Sequence, residues 1–275
     1  MKVLLLFLLF YLPCNAQEFY SFVENYVPGE IVKYKEDSLM SFEVGGRLTE
    51  TGSASINTVK CLGYEDNFLL LEETMIDLVA TKKTLGKMSA DYNTNSLLGM
   101  PYTLYIDTLS GLVDHIETEF KEYEELINTM VMGMGSSMEN YIYPFGKNAI
   151  DVQVGDGWTL PADSIIFYEG DDGTENLMIV ESTYTFDKIK NKGGRKIAYL
   201  KGVYKCSAEL EFLQDSKLFI GTLNGTIKDK IRFDLNDNKT ILHKTAGALK
   251  WNFRFEGENF SAIMDMSNKS KRINK

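Results

Sequence analysis

Few side chains in this sequence are placed to do chemistry, and their spacing limits what they can do. Histidine occurs twice, at His115 and His243. Two histidines cannot build a three-His zinc site, and these are too far apart for a paired-His helix motif. No G-x-S-x-G elbow occurs, and the serines of GMGSSM (133–138) follow a stretch of helical periodicity instead of a strand, which denies a Ser nucleophile its setting. The same stretch lacks the third glycine of a dinucleotide loop, and G-x-x-x-x-G-K-S/T matches nowhere. Carboxylates are plentiful, with Glu72-Glu73 and Glu124-Glu125 read as solvated faces. A glycan hydrolase would need two of them held at a set separation across a cleft. The run DLNDNK (234–239) starts like a calcium loop at Asp234, Asn236 and Asn238. Lys239 then stands where glycine belongs and Thr245 where the bidentate Glu belongs, so it reads as a turn, as does EGDDGTE (169–175).

Methionine is the unusual concentration: Met130, Met132, Met134 and Met138 in MVMGMGSSM, and Met264 and Met266 in MDM. Thioethers are soft ligands that select Cu(I), which makes copper handling one hypothesis. Residues two apart on a helix point to different sides, however, and methionine is a routine filler of core gaps. Core packing is the preferred role, and no cofactor is implied.

The elements that would position these residues are mostly strands. Residues 68–74, 102–107, 197–204, 227–234 and 249–255 are rich in aromatic, β-branched and leucine residues, several alternating with period two. Gly45-Gly46, Lys192-Gly193-Gly194, Asn224-Gly225 and Asn236-Asp237-Asn238 punctuate them with residues suited to tight turns. One segment departs from this pattern. Ile116, Phe120, Tyr123, Ile127, Met130 and Met134 recur by three and four, which predicts an amphipathic helix over 114–134 with Asp114 and Glu117 as a capping pair. Such a helix would cover a sheet, and Phe120, Tyr123, Ile127 and Met130 would line any ligand held between. LYIDTLSGLVDHIE (104–117) and IRFDLNDNKTILHK (231–244) share a strand ending in Asp, a polar turn and a second strand carrying His. The expected organisation is one β-rich domain over 17–268, read as two similar halves at about 29–150 and 154–260, with a basic tail over 269–275.

The chain opens on Met1-Lys2, then runs apolar from Val3 to Leu12 before Pro13, Cys14, Asn15 and Ala16. This is the layout of a cleavable export signal over residues 1–16, and the apolar run is about half of what a spanning helix needs. Pro13 disfavours a lipid anchor at Cys14, whose preceding residue should be small. No other run is long enough to span a membrane. Removing 1–16 takes away Lys2 alone, so the net charge moves from −10 to −11 and binding to phosphate backbones is disfavoured. Cys61 and Cys206 remain, permitting one disulfide in an oxidising compartment or two buried thiols.

Together, YVPGEIVKY (26–34), LYIDTLSGLV (104–113) and VGDGW (154–158) resemble the uncharacterised exported β-rich proteins of Gram-negative bacteria. That group is similar in look to periplasmic lipoprotein carriers, whose half-barrel sheet holds acyl chains under a helix. The resemblance implies a fold and no catalytic residues. The expectation is a mainly β chain, either a curved antiparallel half-barrel or a double sheet, with one helix. Its expected role is non-enzymatic binding of a hydrophobic or amphipathic ligand outside the cytoplasm, with copper handling and glycan hydrolysis as alternatives. The sequence leaves the oligomeric state open.

Overall fold

The computed structural model describes residues 18–84, 87–90, 98–124, 140–169, 175–214, 217–255 and 257–273. The expected export segment 1–16 lies outside them, as do Glu125, Ile127, Met130, Met132, Met134 and Met138. The strand-like runs form strands, and these extend beyond the runs because the alternation continues past them. The strand Glu175–Lys192 shows why: Asn176, Met178, Val180, Ser182, Tyr184 and Phe186 are buried, with an exposed residue between each pair. A period of two puts every second side chain on one face.

In chain order the strands are β1 (Ile31–Val44), β2 (Arg47–Glu65), β3 (Phe68–Thr84), β4 (Lys87–Ala90), β5 (Pro101–Asp107), β6 (Val113–Glu117), β7 (Gly157–Thr159), β8 (Asp163–Glu169), β9 (Glu175–Lys192), β10 (Arg195–Gln214), β11 (Lys217–Asp234), β12 (Lys239–Phe255) and β13 (Glu258–Ile273). They form one antiparallel sheet in the order β6-β5-β3-β2-β1-β13-β12-β11-β10-β9-β7, with β4 added to β3 and β8 to β9. The outermost strands do not pair with each other, so the curved sheet stays open. The arrangement is therefore a single mainly β sheet, not two packed ones. Each side of it is largely a meander, and the β1–β13 ladder, running from Lys33↔Ile273 to Val44↔Ala262, joins the two.

Turn chemistry explains the meander. Gly45-Gly46 and Gly193-Gly194 are two-residue hairpin loops with φ of 54°, 74° and 56°, 77°. Two successive left-handed residues match the twist of the flanking strands, and glycine adopts them without strain. Asp107 and Asp234 each accept a backbone N–H two residues on, from Leu109 at 2.9 Å and Asn236 at 2.9 Å, which starts the turns after β5 and β11.

Two expectations need correction, and the open choice at the cysteines is resolved. Residues 114–117, placed at the start of a helix, lie in strand β6, Lys121–Tyr123 is a single 3-10 turn, and 125–134 are outside the described residues. Ile116 recurs at helical spacing with Phe120 and Tyr123, but Leu104 and Ile116 pair across β5–β6 and bury each other, so the ladder overrides the periodicity. The basic tail is not a tail as far as Ile273, because β13 continues to that residue and Lys269 pairs with Asp37 across the ladder. Cys61 and Cys206 are both buried free thiols. They sit on β2 and β10, five ladder steps apart (β2, β1, β13, β12, β11, β10). At about 4.8 Å per step that is about 24 Å along the sheet, against Cα separations of about 7 Å or less for a disulfide.

Candidate functional site

The inner face of the sheet, where the buried residues lie, carries three apolar clusters. Chain outside the strands closes the first two. Phe22, Phe145, Ala149 and Val152 pack on Phe186, Ala198, Leu200, Ile231 and Phe233. Phe22 meets Phe145, Phe186 and Phe233 edge-on at 5.0 to 6.0 Å between centroids, the arrangement aromatic quadrupoles favour. The VGDGW run builds this closure. Gly155 N–H donates to the Phe186 carbonyl, Asp156 carbonyl accepts from Phe186 N–H, and the Trp158 indole donates to Phe145 at 2.9 Å. Ile142 seals a second cluster of Cys61, Leu69, Leu71, Leu104, Ile106 and Ile116, with Val23, Tyr26 and Tyr123 against it.

The third cluster is different. Met178, Val180, Cys206, Ala208, Leu210, Leu223, Ile227 and Leu249 form it, flanked by Tyr204, Trp251, Met264 and Met266. Every one of these residues belongs to β9 through β13, and among the described residues no loop or second layer is part of it. In the ladders, Met264 lies opposite Phe42, and Met266 opposite Met40, which extends the stripe onto β1. Two glycines sit in it. A Cβ on Gly225 would strike the Ala248 carbonyl oxygen, and one on Gly247 the Thr226 carbonyl oxygen, so only glycine allows β11 and β12 to run this close.

A polar belt crosses the same face next to this stripe, one residue from each of seven consecutive strands. Tyr184 on β9 donates to the Tyr204 hydroxyl on β10 at 2.8 Å, and Tyr204 donates to Asp229 Oδ2 on β11 at 2.6 Å. His243 Nε2 on β12 faces the same Oδ2 at 2.6 Å, so the carboxylate orients the ring with its Nε2 hydrogen inward. Ser270 on β13 bonds Glu36 on β1, which accepts from Asn57 on β2 at 3.5 Å. Register places these residues together: Ser270 lies opposite both His243 and Glu36. Burial pushes the Tyr184 hydroxyl up to about 12 and Tyr204 well above its ordinary range, so both stay protonated donors. Burial also raises Glu36 above the usual carboxylate range, against the opposing effects of Ser270 and His243. Two buried belt atoms have no hydrogen-bond partner among the described residues, Asp229 Oδ1 and Asn57 Oδ1. Both are acceptors.

The residues singled out in the sequence lie elsewhere. Phe120 and Tyr123 are half-buried, Tyr123 beside the second cluster, while Ile127 and Met130 are outside the described residues. Met264 and Met266 pack in the third cluster. His115 stacks on Tyr105 at 4.1 Å near the β6 edge and is bonded to Asp114, remote from His243. The calcium-like turn is held by arginines: Asp234 pairs with Arg195 at 2.6 Å and Asp237 with Arg195 and Arg272. Glu73 accepts from Tyr102 at 2.8 Å, and Glu72 pairs with Lys60 at 3.5 Å. Among the described residues no group of three His, Cys, Asp or Glu side chains could hold a metal ion. No helix among them is long and apolar enough to cross a membrane. The belt went unnoticed in the sequence because its members are one per strand, and only register aligns them.

No protein-family model and no curated protein sequence matches the chain. Among solved structures, the fold is similar to that of lipovitellin, studied for its lipid–protein interactions, with a TM-score of 0.52 and 9% identity. The alignment covers 91% of this chain and 26% of that one, so the chain spans about a quarter of lipovitellin. An outer membrane channel from Pseudomonas putida F1 aligns over 91% of this chain and 98% of its own length, at a TM-score of 0.25 and 6% identity, too low to indicate a shared fold. What the chain shares with a known protein is thus a sheet fold, found in one part of lipovitellin.

Proposed function

We propose that this protein is an exported, non-enzymatic binding protein for an apolar or amphipathic ligand, held on the inner face of the sheet along β9–β13 and β1. The observation that carries the reading is the third cluster. Among the described residues its side chains come from one sheet alone, whereas chain outside the strands closes the other two. A sheet with a hydrophobic face needs something packed against it, and a flexible apolar molecule meets that need. Methionines suit the task, since Met264 and Met266 repack around varied shapes. The likeness to lipovitellin supports this reading, because lipid–protein contact is what that structure was studied for. The export half of the proposal rests on the layout of residues 1–16.

The direct test is titration with an environment-sensitive apolar dye such as N-phenylnaphthylamine, together with native mass spectrometry of the protein as purified. Saturable dye binding that Leu249→Asp or Met264→Asp reduces at least tenfold, with the β circular-dichroism spectrum retained, is the expected result. Dye binding that neither substitution affects would refute the assignment to this face.

A further inference from the structure

We infer that the ligand is amphipathic and carries a hydrogen-bond donor at its polar end, an ammonium or hydroxyl group, which the belt receives at Asp229; this rests on the reading proposed above. The chemistry starts from one unbalanced carboxylate. Asp229 is 2% exposed, and both side-chain donors that reach it, Tyr204 and His243, converge on Oδ2 at 2.6 Å. Oδ1 is left with no hydrogen-bond partner among the described residues. A buried carboxylate oxygen with no donor has given up its hydrogen bonds to water without replacement. Such a cost persists where a function uses it.

The location assigns the ligand's two ends. Asp229 is on the inner face, in register with Gly202 and Thr245, and Ile227 of the third cluster is the next inward residue on the same strand. Gly202 lets Tyr184 close on Asp229: a Cβ there would come within 3.1 Å of both the Asp229 Cβ and the Tyr184 ring. His243, with 39% of its side chain exposed, is the open side of the belt next to Asp229. A chain lying on Ile227, Leu249, Met264 and Met266 therefore brings its head to Asp229. The charge of the site selects the head. Besides the protonated Tyr184 and Tyr204, the belt's ionisable groups are Asp229, Glu36 and His243, and no lysine or arginine belongs to it. An anionic head would face a carboxylate that is already short of a donor, whereas an N–H or O–H supplies what is missing.

Competition against the bound dye with four twelve-carbon probes tests this, using the wild-type protein below each probe's micelle concentration. Dodecylamine and 1-monolauroylglycerol should displace the dye at concentrations at least tenfold lower than laurate. Dodecyltrimethylammonium, which has the charge but no N–H, should fall at least fivefold behind dodecylamine. Laurate competing as well as the amine, or the quaternary ion equalling it, would overturn the head assignment while leaving the apolar reading intact. Dye binding with no displacement by any probe would also overturn it. Absence of dye binding as well would remove the reading on which it rests. In Asp229→Asn, dodecylamine should lose most of its advantage over laurate; should that variant not fold, the wild-type ranking decides.

Discussion

Lys239 shows how a single residue can anchor the segment that leads into β1. Its side chain is 1% exposed, with Nζ 3.8 Å from Glu24 and 3.9 Å from Glu30, and 3.4 Å from the centre of the Tyr26 ring. Burial lowers its pKa and raises that of Glu24, each opposed by the other's charge. Removing one partner of a buried pair leaves the other charge uncompensated. Lys239→Met should therefore cost about 3 to 5 kcal/mol in urea denaturation, and Glu24→Gln in the same chain should restore most of it. Glu36 sets a pH dependence. Its pKa is raised above its ordinary 4.5 in the folded chain by burial, so the folded state binds the proton more tightly than the unfolded one. Stability is then fullest below that ordinary value and falls as pH rises through the raised one. Glu36→Gln, which can still accept from Ser270, should raise the melting temperature at pH 8 and flatten the decline from pH 5. Burial also pushes the thiols of Cys61 and Cys206 up. Without reductant, both should be recovered as free thiols, alkylating slowly in the folded protein and rapidly in denaturant, as peptide mass spectrometry would show.

Among the elements, the strands were legible and their lengths were not. Period-two alternation marks β9 and β10 plainly, because each has one buried face. The segment after β5 misled, since Ile116, Phe120 and Tyr123 fit a helix as well as a short strand leading to a 3-10 turn. A window that short cannot separate the two periods, and pairing of Leu104 with Ile116 decided it. The basic run at the end of β13 misled in another way: Lys269 and Arg272 look solvated in sequence, yet they pair with Asp37, Glu30 and Asp237. The glycines of β11 and β12 yield a prediction at this scale. Gly225→Ala should destabilise by about 1 to 3 kcal/mol, the usual cost of overpacking, with the loss seen in the denaturation midpoint and the β spectrum preserved. Phe22→Ala, by contrast, removes the ring that closes the first cluster and should cost about 3 to 5 kcal/mol.

For the whole molecule, the open sheet is the defining property. Neither end strand finds the other, so the sheet stays unclosed, and among the described residues its inner face is covered by chain outside the strands at two places and formed by strand residues at the third. A ligand filling that third place would stabilise the fold by mass action, about 2.7 kcal/mol at a hundredfold excess over Kd. Dodecylamine should accordingly raise the melting temperature of the wild-type protein and leave that of Leu249→Asp unchanged in a thermal scan.

The sequence by itself determined what is local. Alternation made the chain a β protein, Gly45-Gly46 and Gly193-Gly194 marked two hairpins while Asn224-Gly225 misled because it lies inside β11, acidic composition argued against nucleic acid, and the layout of residues 1–16 argued for export. Each depends on neighbours in the chain, whose side-chain directions follow from backbone geometry. Only the tertiary structure decided the order of the strands, the β1–β13 ladder that joins first to last, and the separation of Cys61 from Cys206. It also assembled the belt, because Tyr184, Tyr204, Asp229, His243, Ser270, Glu36 and Asn57 have no common spacing and meet only through the register of seven strands. Register is a property of pairs of strands, set by which faces can be buried together, and no window along one strand contains it.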